Sequence, residues 1–586
     1  MPGIRLNQLG VTPTGQKRAM LASDSTTPIA WQLIAADGTV AASGQTIVHG
    51  PDALAGEAVH VIDFTRFTGT GKAYVLKAGA LESRPFAIGP DIRGALAEDA
   101  LAFFYHQRAG IPIEARYVGA KWARPAGHRK EVVHCFKGRD LRGTDWPGCA
   151  YTLDVTGGWY DAGDQGKYVV NGGISVWTLL DAYEHLKSPA FADGRLKIPE
   201  AGNGVNDLLD EARYEMAFLL SMQVPAGTRA RLPVGPFARD AKVVLTDVDA
   251  SGMAHLKVGD RNWTGLPTRP ADDREERLLY PPSTSATLNL AATAAQCARL
   301  WQGVDDAFAA RCLAAARSAW TAAKRNPQIY AVGDFNGSGG YGDSDVSDEF
   351  YWAAAELLLT TGEPEFRDFV RASPHFTADP GEPGWPRTAA LGTLALVKLP
   401  ETVPEAVQAR KTLVQVADRF AAEREQTGYH IPYAPAGGYP WGSTSTLTNR
   451  AIMLAYAYDI TGKTKYRGAV VDALDYLLGR NPLDQSYVSG FGVRSMAHPH
   501  HRFWAPSLDP RLPGPPPGVI SGGPNSTAMS DPVAEKLKGS CAPMRCWADD
   551  VHAYALNEVA INWNAPLFWV AAWLDAREGQ GGNRAK

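Results

Sequence analysis

The chain carries no strong charge of either sign. Across 586 residues, 58 Lys and Arg stand against 62 Asp and Glu, a formal net charge of −4. That excludes the basic field needed to hold nucleic acid. Long hydrophobic runs are also missing. No stretch reaches the ~18 apolar residues of a membrane-spanning helix, so no membrane partner is expected. Cysteine is scarce, with six in the chain, which argues against a disulfide scaffold. Residues 1–7, MPGIRLN, lack an apolar signal core. The expectation is a secreted or periplasmic protein if a leader was trimmed, and a cytoplasmic one otherwise.

What is present points to a large globular protein. Hydrophobic residues make up 45% and charged residues 20%, and the length exceeds one ordinary core, so at least two domains are expected. The aromatic load of 16 Trp, 21 Tyr and 19 Phe fits either a big core or a carbohydrate-binding surface. Residues 1–88 read as strands. β-rich runs such as Ile29–Ile34 and Val59–Phe64 are broken by turn signals at Ala36-Asp37-Gly38 and Thr68–Gly71, a spacing that suits a small β-sandwich. From Arg93 the period becomes helical. Val205, Leu208, Leu209, Ala212, Met216, Leu219 and Leu220 form one apolar stripe, with Asn203-Gly204 as a helix start. Eleven similar segments lie near 93–108, 173–186, 285–301, 306–324, 346–361, 364–371, 388–398, 404–424, 444–461, 464–479 and 556–576. Twelve helices in antiparallel pairs suit an (α/α)6 barrel over residues 89–580. Long irregular stretches at 109–172, 225–284, 325–345, 425–443 and 484–555 are where function is expected.

The first of these stretches holds Gly157-Gly158-Trp159-Tyr160-Asp161-Ala162-Gly163-Asp164. Two carboxylates three residues apart sit among glycines and aromatic rings. Acids suit proton work on a sugar, and rings such as Trp159 and Tyr160 suit stacking on pyranose faces. A metal loop or a capping Asp pair is the alternative. The stretch Ser486–Arg502 contains His498, His500, His501 and Arg502; His500 and Arg502 suit hydrogen bonding to hydroxyls, and a metal-binding His cluster is the alternative. In Trp547–Pro566, Glu558 stands before an apolar helix. Desolvation would raise its pKa toward general-acid range against the helix dipole, and helix capping is the alternative.

Together these motifs resemble glycoside hydrolase family 9. Ser486–Arg502 fits that family's histidine signature, Trp547–Ala565 its acidic signature, and Asp161–Asp164 its third catalytic element. Residues Ile4–Gly10 resemble the start of the immunoglobulin-like domain that precedes many family 9 catalytic domains. The resemblance implies an (α/α)6 barrel and an inverting mechanism on β-1,4-linked glucans. Asp164 would be the general base, Asp161 would help hold the water, and Glu558 would be the general acid. His500, Arg502 and Tyr554 would meet sugar, and Asp549 would orient the acid's surroundings. Inversion needs a gap of roughly 6.5–9.5 Å between acid and base.

Phe103–Ile113, Trp122–His128 and Tyr280–Leu290 resemble bacterial members that carry the immunoglobulin-like domain. That subgroup includes endoglucanases, cellodextrinases and exo-β-D-glucosaminidases. The reading is a monomeric glucanase on soluble β-glucan or cello-oligosaccharide. An exo-glucosaminidase acting on chitosan oligosaccharides is the alternative, and a non-catalytic sugar-binding protein is a further one. No carbohydrate-binding module or Pro-Thr linker follows, which is expected to weaken any role on crystalline cellulose.

Two metal sites are expected, with no organic cofactor. His128, His134, Cys135 and Cys149 offer a tetrahedral zinc set, and some relatives in the subgroup bind zinc in this loop; a Cys135–Cys149 disulfide or free thiols are the alternatives. Asp334, Asn336, Asp343 and Asp345 alternate oxygens as a calcium loop does, without the terminal Glu of an EF-hand. The family commonly binds calcium, and a polar glycine-rich loop is the alternative. Cys297–Cys312 and Cys541–Cys546 are pairs that an oxidising compartment could bridge, and buried thiols are the equal alternative for the first.

Overall fold

The apolar repeat that predicts twelve helices is matched by twelve helices. A computed structural model describes residues 3–237 and 241–581. Among those residues, the α-helices of nine residues or more are α1 (Leu96–Gln107), α2 (Val169–Leu186), α3 (Asp207–Ser221), α4 (Thr284–Trp301), α5 (Asp306–Arg325), α6 (Ser347–Thr361), α7 (Pro364–Ala372), α8 (Ala389–Val397), α9 (Pro404–Glu423), α10 (Ser443–Thr461), α11 (Thr464–Leu477) and α12 (Ile561–Gly581). Their starts follow cap chemistry. Asn206, Ser283 and Asp305 accept from the backbone N–H of Leu208, Ala286 and Phe308 at 3.0, 3.1 and 2.9 Å. The α3 start therefore lies at Asn206, three residues past the Asn203-Gly204 signal.

The chain forms two compact units, Met1–Phe103 with Val414–Lys586 and Phe104–Leu413. In the second unit, helices buried on nearly every side alternate with amphipathic ones. All nine residues of α8 are buried, whereas α7 buries only Phe366 and Val370. α4 packs against α2, α5 and α6, and α6 packs against α7 and α8. α5 turns one stripe inward, including Phe308, Cys312, Ala315, Ala316, Ala319 and Trp320. An inner and an outer ring of helices need this alternation.

The first unit begins with two antiparallel sheets. The strands are β1 (Ile4–Arg5), β2 (Arg18–Ala22), β3 (Ala30–Ile34), β4 (Val40–Gln45), β5 (Ile47–Asp52), β6 (Glu57–Asp63), β7 (Gly71–Ala78), β8 (Leu81–Glu82) and β9 (Phe86–Ile88). One sheet runs β1-β2-β6-β5; the other runs β4-β3-β7-β8, with β9 also on β7. Inward residues of both sheets, including Ile4, Leu21, Trp31, Ile62, Leu76 and Phe86, make one core. This β segment is fastened to C-terminal helices of the same unit. Asn7 Nδ2 donates to Asp475 Oδ1 at 2.8 Å, Gln16 Nε2 donates to Asp472 Oδ1 at 2.7 Å, and Arg5 pairs with Glu57 beside Tyr429. There α10 packs on α11 and α12. No helix among the described residues is long and apolar enough to cross a membrane.

Four of the six cysteines are bridged, as Cys135–Cys149 and Cys541–Cys546. Cys297 on α4 and Cys312 on α5 are buried thiols.

Candidate active site

In the second unit, the loop carrying Asp161 and Asp164 is tied down along its length. Gly158 has φ +74°, and a Cβ there would lie 2.6 Å from Phe218 Cγ, so only glycine lets the chain enter this way. Trp159 donates from its backbone N to Glu215 Oε2 at 2.5 Å and from Nε1 to Glu211 Oε1 at 2.9 Å. Tyr160 N donates to Gln107 O at 2.8 Å, and Gln107 Nε2 donates to Ala162 O at 3.0 Å. Lys167 Nζ closes the loop on Val155 O and Gly157 O, both at 2.7 Å, and pairs with Glu131 at 2.6 Å.

This anchoring corrects one expectation. Trp159 is 0% exposed and Tyr160 2%, so neither ring face can stack on a sugar. Trp159 packs on Phe104 with ring centroids 4.5 Å apart. Both rings are core residues that fix the loop.

The two carboxylates differ sharply. Asp161 is 1% exposed. Its Oδ1 accepts from Asn171 Nδ2 at 2.9 Å and its Oδ2 from Tyr341 Oη at 2.8 Å. Burial pushes its pKa up to about 7; the Asn171 and Tyr341 bonds pull it down, and the charge of Asp164 adds to the rise. Asp164 is half-buried, and its Oδ1 accepts from Gly166 N at 3.1 Å. Behind them lies Lys257, whose Nζ donates to Gly339 O. Burial lowers the lysine pKa to about 7, and Asp164 followed by Asp334 holds it up. Gly339 N donates to Tyr168 Oη at 2.7 Å, and the Tyr168 ring meets that of Tyr341 edge-on at 4.7 Å. Tyr341 in turn meets Trp385 at 5.0 Å. Asn171, Tyr341 and Lys257 were missed in the sequence. Only Tyr341, an aromatic among glycines, offered a signal, and there the metal-loop reading of 334–345 absorbed it.

In the first unit, Glu558 follows the short helical turn Tyr554–Asn557 and precedes α12. It lies outside α12, so the N-terminal dipole of that helix does not load it as expected. Glu558 is half-buried. His500 N donates to Asn557 O at 2.9 Å, forming a bridge between His500 and Glu558. His500 Nδ1 donates to Val551 O at 2.7 Å. Asp549 joins the two signature stretches. It accepts from Ala497 N at 2.9 Å, His498 N at 2.8 Å and Asn557 Nδ2 at 3.0 Å, which makes it a positioning residue. Arg502 is buried. Tyr554 Oη donates to Ser530 O at 2.8 Å, and its ring lies 5.6 Å from His500 and 5.7 Å from Trp441. Trp441, 38% exposed, was also missed, although an aromatic between Pro440 and Gly442 at a helix start was its signal.

Neither expected metal set assembles. Cys135 and Cys149 are bonded to each other, and a disulfide has no thiolate to give zinc. His134 is exposed beside Glu276 at 3.4 Å. His128 is drawn elsewhere. Its Nδ1 lies 2.7 Å from Tyr160 Oη and its Nε2 lies 3.4 Å from Asp273 Oδ2. Ligand atoms of His128, Asp260 and Asp273 lie within 4.8 Å of one another, a geometry that can hold a metal ion. Arg277 Nη1 already pairs with Asp260 at 2.7 Å. The calcium set fails likewise. Asp334, Asn336 and Asp345 are exposed, and Asn336 Nδ2 donates to Asn262 at 3.0 Å. Asp343 faces different neighbours. Glu349 is 0% exposed and neither of its carboxylate oxygens has a hydrogen-bond partner. Burial, then the charges of Asp348 and Asp343, raise its pKa well above the usual range. Asp348 Oδ2 already accepts from Thr388 N at 2.6 Å, and the cluster whose ligand atoms converge among the described residues is His128, Asp260 and Asp273.

The comparisons agree with this architecture. The profile described as glycosyl hydrolase family 9 matches residues 94–571, and that of the cellulase N-terminal ig-like domain matches residues 1–83. The chain is 46% identical to endoglucanase C of Cellulomonas fimi, over 98% of this chain and 52% of that protein. It thus spans about half the length of this relative. It is 42% identical to a cellulose 1,4-beta-cellobiosidase of Acetivibrio thermocellus, over 98% of this chain and 67% of the other. A solved structure described as Bacteroides ovatus GH9 superposes with a TM-score of 0.82 at 31% identity, covering 98% of this chain and 99% of that one. The fold is an (α/α)6-barrel type preceded by an immunoglobulin-like β domain, and the chain belongs to glycosyl hydrolase family 9.

Proposed function

We propose that the protein hydrolyses β-1,4-glucosidic bonds in soluble β-glucans or cello-oligosaccharides with inversion at the anomeric carbon. The observation that carries this reading is the unequal carboxylate pair. Asp161 is buried and held by two donors, while Asp164 is half-exposed and bonded only within its own loop. A group that holds a water must be fixed. A group that takes its proton needs access to solvent and substrate. Asp161 is therefore the water holder and Asp164 the base. Glu558 is the acid that protonates the leaving oxygen, His500 and Arg502 bind sugar hydroxyls, and Trp441 with Tyr554 offers ring faces to the sugar. Residues 1–88 are the immunoglobulin-like sandwich and 89–580 the catalytic domain of a monomer.

The names of the relatives, an endoglucanase and a cellobiosidase, favour glucan over chitosan oligosaccharide. The site proposed for a metal is His128, Asp260 and Asp273, whose ligand atoms lie within 4.8 Å of one another; its contribution would be to folding. Two disulfides fit an oxidising compartment.

Asp164→Asn and Glu558→Gln should each lose at least about 10³-fold in kcat, on the scale of lost acid–base catalysis, while keeping the wild-type melting temperature. Turnover near wild type in either variant would reject the assignment. Products from cellopentaose and from the chitosan pentamer would decide between the two sugars.

A further inference from the structure

Of the 16 tryptophans in the chain, Trp263 and Trp441 are the exposed ones among the described residues, at 48% and 38%. Trp441 belongs to the Glu558 side already described. Trp263 belongs to the long stretch 225–284, the same stretch that places Lys257 near Asp164.

Trp263 sits where two connections to the base loop meet. It follows the strand Lys257–Asp260, which pairs antiparallel with Lys167–Tyr168, directly after the Asp161–Gly166 loop. The residue after it, Thr264, donates from Oγ1 to Gln165 Oε1 at 3.3 Å, and Gln165 Nε2 donates to Thr268 O at 3.2 Å. Gln165 is the immediate neighbour of Asp164. The residue before it, Asn262, is also pinned. Its Nδ2 donates to Glu275 Oε2 at 3.1 Å, and its Oδ1 accepts from Asn336 Nδ2 at 3.0 Å. Gly337 packs so tightly here, at φ +79°, that a Cβ would lie 2.5 Å from Asp260 O and 2.6 Å from Asn262 N. The indole is thus presented to solvent by a braced backbone.

Half-exposing the largest apolar side chain forgoes hydrophobic stabilisation. A ring carried on a pinned backbone has less freedom to lose when a ligand docks on it, so the geometry favours binding. The face of a β-linked glucosyl unit is a row of C–H groups framed by equatorial hydroxyls, which matches a flat indole with a polar edge. We infer that Trp263 is a sugar-stacking residue that holds one glucosyl unit beside the Asp161–Gln165 loop and sets the chain length the enzyme prefers. This inference rests on the proposed glucanase reading.

The test compares kcat/KM of wild type, Trp263→Ala, Trp263→Leu and Trp263→Phe on cellotriose through cellohexaose. The Ala and Leu variants should lose about tenfold or more on the longest substrate, with the loss shrinking steadily as the chain shortens. The Phe variant, which restores a flat ring, should recover most of it. If the Ala variant fails to fold, the Leu and Phe pair carries the comparison, because Leu keeps apolar bulk without a ring face. A loss equal at every length, or no loss in Leu, would overturn the inference while leaving the glucanase reading in place. A folded wild type that cleaves none of these substrates would overturn both.

Discussion

Replacing Tyr341 by Phe removes one oxygen and leaves the ring. In the wild type that hydroxyl donates to Asp161 Oδ2 at 2.8 Å. A hydrogen bond to a charged group contributes about 1.5–3 kcal/mol, and it favours the carboxylate over the acid. Its loss raises the pKa of Asp161, and at about 1.36 kcal/mol per unit the rise is about 1–2 units. Asp161 already stands at about 7 because of burial, so the variant would titrate at about 8–9. At pH 7 the ionised fraction falls from about a half to between about a tenth and a hundredth, a loss of about 5–50-fold in kcat/KM if the carboxylate form holds the water.

The sign gives the assay its force. Raising the pH re-ionises Asp161, so the ratio of wild-type to variant activity should shrink from pH 6 to pH 9. A purely structural defect would depress both limbs alike. The measurement is kcat/KM on a soluble cello-oligosaccharide across pH 5–9.5 for both proteins. A ratio that stays constant with pH, or an acid limb moved to lower pH, would refute the reasoning about Asp161.

The same buried acid affects stability. The folded protein keeps a proton on Asp161 up to about pH 7, whereas the usual aspartate value is 3.8. Its contribution is therefore present below about pH 4 and is lost as pH rises through 7, with an upper bound of about 4 kcal/mol. Asp161→Asn should be inactive yet more resistant to denaturant than wild type at pH 8, with the difference vanishing toward pH 4; a difference independent of pH would argue against it. Chelation should lower the melting temperature, because a cation at 100 times its Kd contributes about 2.7 kcal/mol. Asp273→Asn should blunt that response, and an unchanged response would move the cation away from His128, Asp260 and Asp273.

Much of the fold is legible because its signals are local. A 3.6-residue apolar repeat marks amphipathic helices such as α3 and α7, a continuous apolar run marks buried ones such as α8, and a 2-residue alternation marks strands such as β7. Asp161 and Asp164 are legible because acids among glycines and rings read as a site. Their supports are not. Tyr341 lies 180 residues from Asp161 in sequence, and nothing local links them. Trp159 and Tyr160 mislead for the opposite reason. An aromatic beside an acid reads as a platform, but only the tertiary fold decides whether it faces a cleft or a core. The zinc expectation fails on strand geometry. Val132–His134 pairs with Thr152–Asp154, and the alternation along that strand buries Val133 and turns His134 outward, while Cys135 and Cys149 are left 5.4 Å apart at Cα, within disulfide reach.

The division of labour between Asp161 and Asp164 follows from where each side chain ends up. Sequence spacing alone makes them equivalent. Two donors from different elements, Asn171 on α2 and Tyr341 in the loop before α6, meet only at Asp161. Each bond lowers the cost of ionising a carboxylate that burial opposes, and each fixes its orientation. Asp164, half-exposed, pays less for its charge and carries fewer constraints. Lys257 sits behind the pair, bonded to Gly339, the residue that Tyr168 also grips, two positions before Tyr341. That lysine thereby steadies the segment that carries the Asp161 donor and, in its protonated form, places positive charge near Asp164. The water holder is made rigid and the base is left accessible, which is the asymmetry that activation of a water requires.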